Sequence, residues 1–325
     1  MITHNEGVII MHVINNRIIK LFIILLLIFW LSGKNAACEN TYHLVRTVKV
    51  DYGRDDNHLS LINTDSFQPI VSESFSNDSN GNFYVCDSSS NKILNYSKNG
   101  MYIKAIRSPD NISSADMIID QSNNIYIYDA IQSQVNQINK YGVLRQSLSF
   151  NPEQLSSRGM LYISRQKLYI VDSDQRSLEI ADLSNGKMKK SKNSTHKPKI
   201  TMGIPAGMDR KYIVSLKRGK EGIINILEKR TQIISFIWDG IVSIRFLKED
   251  QHKNFYIQTE RIQKDVVVLD IHTFSHDGQL LNSFTIQDNQ YPYWTSKLLS
   301  IDDEGNIWQF IPNVQFARIN IFNKH

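Results

Sequence analysis

The chain has 325 residues, of which 41% are hydrophobic, 10% aromatic and 21% charged. That composition excludes a disordered or fibrous protein. The formal charge of +5 is partly a property of residues 1–37, where Arg17, Lys20 and Lys34 outweigh Glu6; the other charges are interspersed, so nucleic acid is not an expected partner.

The first predicted element is a leader. From Leu21 the chain reads LFIILLLIFWL, preceded by Arg17 and Lys20 and followed by Ser32, Gly33 and the small pair Ala36-Ala37. The uncharged stretch Leu21–Gly33 is 13 residues, shorter than the roughly 20 that cross a bilayer as a helix. Residues 1–37 therefore read as a signal peptide, with an uncleaved N-terminal anchor as the alternative. The expected location is the periplasm, the wider cell envelope, or a membrane held through the N-terminus. Cys38 follows Ala36-Ala37, an arrangement similar to a bacterial lipoprotein box, although Asn35 stands where that box carries an aliphatic residue. Two readings of Cys38 stay open: acylation, or a disulfide with Cys86, which an exported chain permits. Two cysteines without a CxxC pair do not suggest a structural zinc site.

From residue 41 to the end the chain is repetitive. A short apolar-aromatic strand recurs as Phe83-Tyr84-Val85, Ile125-Tyr126-Ile127, Leu168-Tyr169-Ile170, Tyr212-Ile213-Val214, Phe255-Tyr256-Ile257 and Ile307-Trp308-Gln309. Its central residues step by 42, 43, 44, 43 and 52. Each copy sits among further alternating segments separated by Asn, Asp, Ser and Gly, the residues that accept tight hairpin turns. In the second copy the predicted strands are Asp116–Asp120, Ile125–Asp129, Val135–Asn139 and Val143–Phe150. A four-stranded unit of this size cannot cover both of its faces, so it must stack on copies of itself. Radial stacking predicts an all-β, six-bladed β-propeller over residues 41–325 with four-stranded antiparallel blades. The last copy holds only three predicted strands before the chain stops, and Thr41–Val50 is placed to supply the fourth.

The first copy, NGNFYVCDSSSNKILNYSKNGMYIKAI from Asn80, resembles an NHL repeat at Gly81, Asn82, Tyr84, Val85, Asp87, Asn91, Ile93, Tyr96 and Gly100. Copies two and three keep part of this pattern, including Asp129 and Asp172, and the fourth is degenerate around Asp209-Arg210-Lys211. The resemblance implies a propeller in which the Asp after the aromatic strand ties down the next turn. It does not imply a reaction, because the family is united by architecture.

No GxSxG, HExxH or phosphate-loop pattern is present, so no catalytic residue and no cofactor is assigned. The expected role is a binding or scaffolding module with a protein or small-molecule ligand; the alternative is a metal-dependent lactonase- or lyase-like enzyme with a site in the central pore. Glu73 is the one metal candidate, placed somewhat as the first ligand of six-bladed calcium lactonases is. His272 and His276 fall in a strand context that does not aim them at one ligand. Asp302 and Asp303 open a hairpin turn. Lys187, Lys189, Lys190, Lys192, Lys197 and Lys199 read as a solvated loop between the third and fourth blades. Tyr291, Tyr293 and Trp294 lie in the connection behind the 52-residue step and are candidates for a binding rim.

Overall fold

The first strand in the chain is the last in the ring. The computed structural model describes residues 42–61, 74–108, 114–155, 159–190, 200–207, 210–217, 221–228, 231–238, 240–264, 266–286 and 297–324. After β1 (Tyr42–Asp51), blade one comprises β2 (Ser74–Asn77), β3 (Phe83–Asp87), β4 (Lys92–Tyr96) and β5 (Tyr102–Arg107). Blade two comprises β6 (Ser114–Ile119), β7 (Ile125–Asp129), β8 (Gln134–Ile138) and β9 (Leu144–Ser149). Blade three has β10 (Met160–Ser164), β11 (Lys167–Val171) and β12 (Arg176–Asp182), its outer position shared by β13 (Lys189–Lys190) and β14 (Ile200–Met202). Blade four comprises β15 (Ile204–Ala206), β16 (Arg210–Lys217), β17 (Glu221–Leu227) and β18 (Thr231–Ile237). Blade five comprises β19 (Ile241–Glu249), β20 (Phe255–Gln263), β21 (Val266–Phe274) and β22 (Leu280–Ile286). Blade six has β23 (Leu299–Ile301), β24 (Ile307–Pro312) and β25 (Phe316–Lys324), and β1 completes it from outside. The innermost strands touch in a closed circuit, β2 to β6 to β10 to β15 to β19 to β23 and back to β2. The fold is a six-bladed β-propeller of antiparallel blades.

The alternation of the recurring strand explains the ring. Phe83 and Val85 face one way, into a cluster with Trp308, Phe310 and Ile319 of blade six. Tyr84 and Cys86 face the other way, against Met117, Ile127 and Ile138 of blade two. Successive side chains on a strand point to opposite faces, so each blade feeds both of its neighbours. Burial of these apolar faces, at about 25 cal/mol per Å², is the main favourable term in the assembly.

Among the described residues four of the turns entering the second strand share one device, an aspartate four residues before an Asn and six before an aromatic. In blade one, Asp78 Oδ1 accepts the backbone N–H groups of Asn80 and Asn82, both at 2.9 Å, while Oδ2 accepts Asn82 Nδ2 at 2.9 Å and the Tyr84 hydroxyl at 3.1 Å. Asp120 binds Asn124 and Tyr126 in the same way, Asp250 binds Asn254 and Tyr256, and Asp302 binds Asn306 and the Trp308 indole. The residue before each Asn is left-handed, with φ of 76° at Gly81, 60° at Asn123, 65° at Lys253 and 85° at Gly305. At 305 glycine is needed twice over, since a Cβ would stand 2.3 Å from the Tyr256 hydroxyl.

Blade three replaces this turn with a two-residue hairpin at Arg165 and Gln166, both left-handed, the signature of a type I′ turn. Degenerate blade four borrows from its neighbour: the Tyr212 hydroxyl donates to Glu249 Oε2 at 2.7 Å, and Arg210 pairs with Glu228 while touching the His276 ring. The aspartates expected after the aromatic strand do hold the next turn. Asp87 accepts from Ser89 and Ser90, Asp129 from the N–H groups of Ile131 and Gln132, and Asp172 from Arg176.

The lysine-rich stretch is not simply a link between blades three and four. Lys189 and Lys190 pair with Asp182 and Ala181, and after them Ile200–Met202 pairs with the other end of the same strand. The insertion thus interrupts the outer strand of blade three. Lys192, Lys197 and Lys199 lie outside the described residues.

Candidate functional site

The inner strands of all six blades surround an axial channel of about 900 Å³. Its walls mix apolar side chains, among them Ile118, Met160, Leu247 and Ile301, with a few charged ones. That volume falls within the range of small-molecule sites.

Among the described residues two side chains cross the channel. Lys297, just before β23, donates from Nζ to Asp116 Oδ1 and to the Met117 carbonyl, each at 3.3 Å, linking blade six to blade two past blade one. Tyr162 of blade three points its hydroxyl at the Phe246 carbonyl of blade five, 3.4 Å away, past blade four. Contacts that skip a blade are possible only across the axis. Burial raises the Tyr162 pKa, opposed by the Arg245 guanidinium beside it, so the phenol is protonated at neutral pH.

Asp116 is the hub of this layer. It is 1% exposed, and besides Lys297 it accepts the Ser74 hydroxyl and the Leu161 N–H, both at 2.8 Å. Its charge is thereby fully matched. Arg245 is different. Arg176, Arg210 and Arg261 pair with Asp172, Glu228 and Asp270, whereas half-buried Arg245 has no carboxylate within ion-pair distance among the described residues. Toward the other mouth, Lys248 pairs with Asp303 at 2.6 Å, and burial raises the Glu249 pKa.

The sequence-level candidates distribute as follows. Cys38, Glu73, Tyr291, Tyr293 and Trp294 lie outside the described residues. Cys86 is 4% exposed and packs between blades one and two. Asp302 is a turn anchor, and Asp303 is engaged by Lys248. Among the described residues no three His, Cys, Asp or Glu side chains gather as metal ligands. Asp116, Tyr162, Arg245 and Lys297 were missed. The available signal was a charged residue inside an apolar strand run, as in ADMII and SIRFL.

His272 is structural. It is fully buried, its Nε2 and Nδ1 each 2.9 Å from the hydroxyls of Thr259 and Ser283, with Trp238 edge-on to its ring. Desolvation lowers its pKa from 6.5 to about 4. The unfolded chain therefore takes up this proton near pH 6.5 and the folded chain only near 4. Stability from this group is complete above 6.5 and is lost as pH falls toward 4, by about 3 kcal/mol. Urea midpoints at pH 7 and 4.5 check it: the drop is expected to be smaller in His272→Gln, and an identical drop in both proteins would refute it.

Fold and channel together define a six-bladed propeller with an axial cavity. No family model and no curated protein sequence matches the chain. Solved structures do resemble it. A member of the DUF4221 family from Bacteroides vulgatus is 10% identical, with a TM-score of 0.49, covering 88% of this chain and 99% of its own. A streptogramin B lyase is 9% identical with a TM-score of 0.44, covering 86% and 98%. Virginiamycin B lyase from Staphylococcus aureus is 12% identical with a TM-score of 0.44, covering 82% and 98%. At such identities the likeness is one of architecture alone.

Proposed function

We propose that this chain is an exported, NHL-like propeller acting as a binding module in the cell envelope, with its ligand seated in the axial channel. The observation that carries this reading is the channel itself: about 900 Å³, walled by all six blades and carrying an arginine with no carboxylate partner among the described residues. The leader over residues 1–37 supports export, and Cys38 supports attachment to a membrane by acylation. A doubly or triply acylated terminus holds firmly where one chain would not. The intact mass of the mature protein tests both points, since it reports the cleavage site and any acyl groups.

The binding role is tested by native mass spectrometry of protein purified from its own envelope. A small-molecule adduct is expected on the wild type and not on Ser300→Trp, which puts an indole into the channel from β23. An adduct unaffected by that substitution, or none on the wild type, refutes a ligand in the channel. Metal-dependent turnover of a lactone, abolished by Glu73→Gln, would replace the module with an enzyme.

A further inference from the structure

We propose that the channel ligand is a small organic carboxylate whose acid group is held by Arg245 and the Tyr162 hydroxyl and whose apolar body lies along the channel wall. This rests on the reading of the channel as a binding site and adds the chemical class of its occupant.

Charge comes first. In the layer around Tyr162 two cations, Arg245 and Lys297, face one carboxylate among the described residues, Asp116. Asp116 is already bound by Ser74, Leu161 and Lys297, so among the described residues of this layer Arg245 is the cation left without a carboxylate. A cation partly withdrawn from water in an apolar-walled cavity is costly until an anion joins it. A single guanidinium suits a monoanion better than a doubly charged phosphate.

Geometry comes second. A guanidinium presents parallel N–H donors that match the two oxygens of a carboxylate. The phenol beside it is available as a further donor. Its bond to the Phe246 carbonyl is 3.4 Å, well beyond the usual 2.5–3.0 Å for O–H···O, so redirecting it to an anion sacrifices little. Lys297 closes the far side while tied to Asp116 and Met117. It sets the electrostatic potential without contacting the acid.

The walls come third. Ile118, Met160, Leu247 and Ile301 line the same cavity, and burying an apolar ligand body against them adds about 25 cal/mol per Å². Acetate or inorganic phosphate would forgo that contribution.

Calorimetric titration of the full chain with 4-phenylbutyrate, its uncharged amide and inorganic phosphate tests the proposal. The acid is expected to bind at least about tenfold more tightly than the amide or phosphate. Arg245→Gln should abolish that preference, and Tyr162→Phe should weaken the acid by about threefold. Arg245→Lys keeps the charge and loses the fork, and an intermediate affinity is expected; unchanged melting temperatures identify the variants that still fold. Equal binding of acid and amide, tighter binding of phosphate, or an acid affinity untouched by Arg245→Gln overturns the proposal. If neither organic probe binds but the native adduct is lost in Ser300→Trp, the carboxylate assignment falls and the binding module stands. If the adduct is missing too, both fall.

Discussion

A chain beginning at Tyr52 is expected to lose about 5 kcal/mol or more of stability, comparable with the whole stability of an ordinary domain, and to aggregate. The reason lies in blade six. Without β1, the partner positions along β25 from Phe316 to Lys324 become an open sheet edge, which invites pairing between chains. Tyr42, Val48 and Val50, all under 7% exposed, leave the core with it. Each such side chain is worth about 1.5–3 kcal/mol. The Tyr42 hydroxyl also donates to the Gly305 carbonyl at 3.1 Å, so a tie between the outer strand and the turn of its own blade disappears. The truncation removes the strand pairing that ties the front of the described chain to its end, so blade six keeps its place in the ring only by the packing of its faces. Size-exclusion chromatography with urea unfolding checks this: a monomer unfolding cooperatively at the wild-type midpoint would show that closure by β1 is dispensable.

Asp302→Ala is expected to destabilise the chain by about 4 kcal/mol. The carboxylate is 4% exposed and accepts four hydrogen bonds: from the N–H groups of Glu304 at 3.0 Å and Asn306 at 2.9 Å, from Asn306 Nδ2 at 2.9 Å, and from the Trp308 indole at 3.0 Å. A buried donor left without an acceptor costs about 1–3 kcal/mol. Trp308 is 2% exposed, so water cannot readily replace the lost acceptor. A double-mutant cycle with Trp308→Phe separates the indole from the rest, because phenylalanine keeps the ring and omits the donor. The double variant is expected to recover about 1 kcal/mol relative to additivity. Strict additivity in urea unfolding would mean that the indole bond contributes nothing.

Much of the fold was readable from spacing. The aromatic strand at steps of 42 to 44 residues announced similar units, and a four-stranded unit of that size cannot cover both of its faces without stacking on its neighbours. The missing fourth strand of the last copy, with Thr41–Val50 waiting at the front, announced the closure seen as β1 against β25. The turn aspartates were half legible. Asp87, Asp129 and Asp172 follow the strand and carry the role the repeat implies, and Asp302 reads as the opening of a hairpin turn, while Asp78, Asp120 and Asp250, which precede the strand in the same way, are not singled out by the sequence reading. The recurrence of these last four aspartates four residues before Asn82, Asn124, Asn254 and Asn306 was present in the chain all along.

The candidate site was not legible, for a reason of distance. Asp116 and Lys297 lie 181 residues apart and meet across the axis, and Tyr162 reaches Phe246 over 84 residues. Neither pair belongs to one blade or even to adjacent blades. Residue types at local spacing determine hairpins, turns and the two faces of each strand, because those depend on neighbours in the chain. Which inward side chains share the channel depends on ring closure, on the blade count, and on where each inner strand stops along the axis. A repeat period specifies the blade; only six blades brought round to close the circle place Arg245 beside Tyr162, with no carboxylate within ion-pair distance among the described residues.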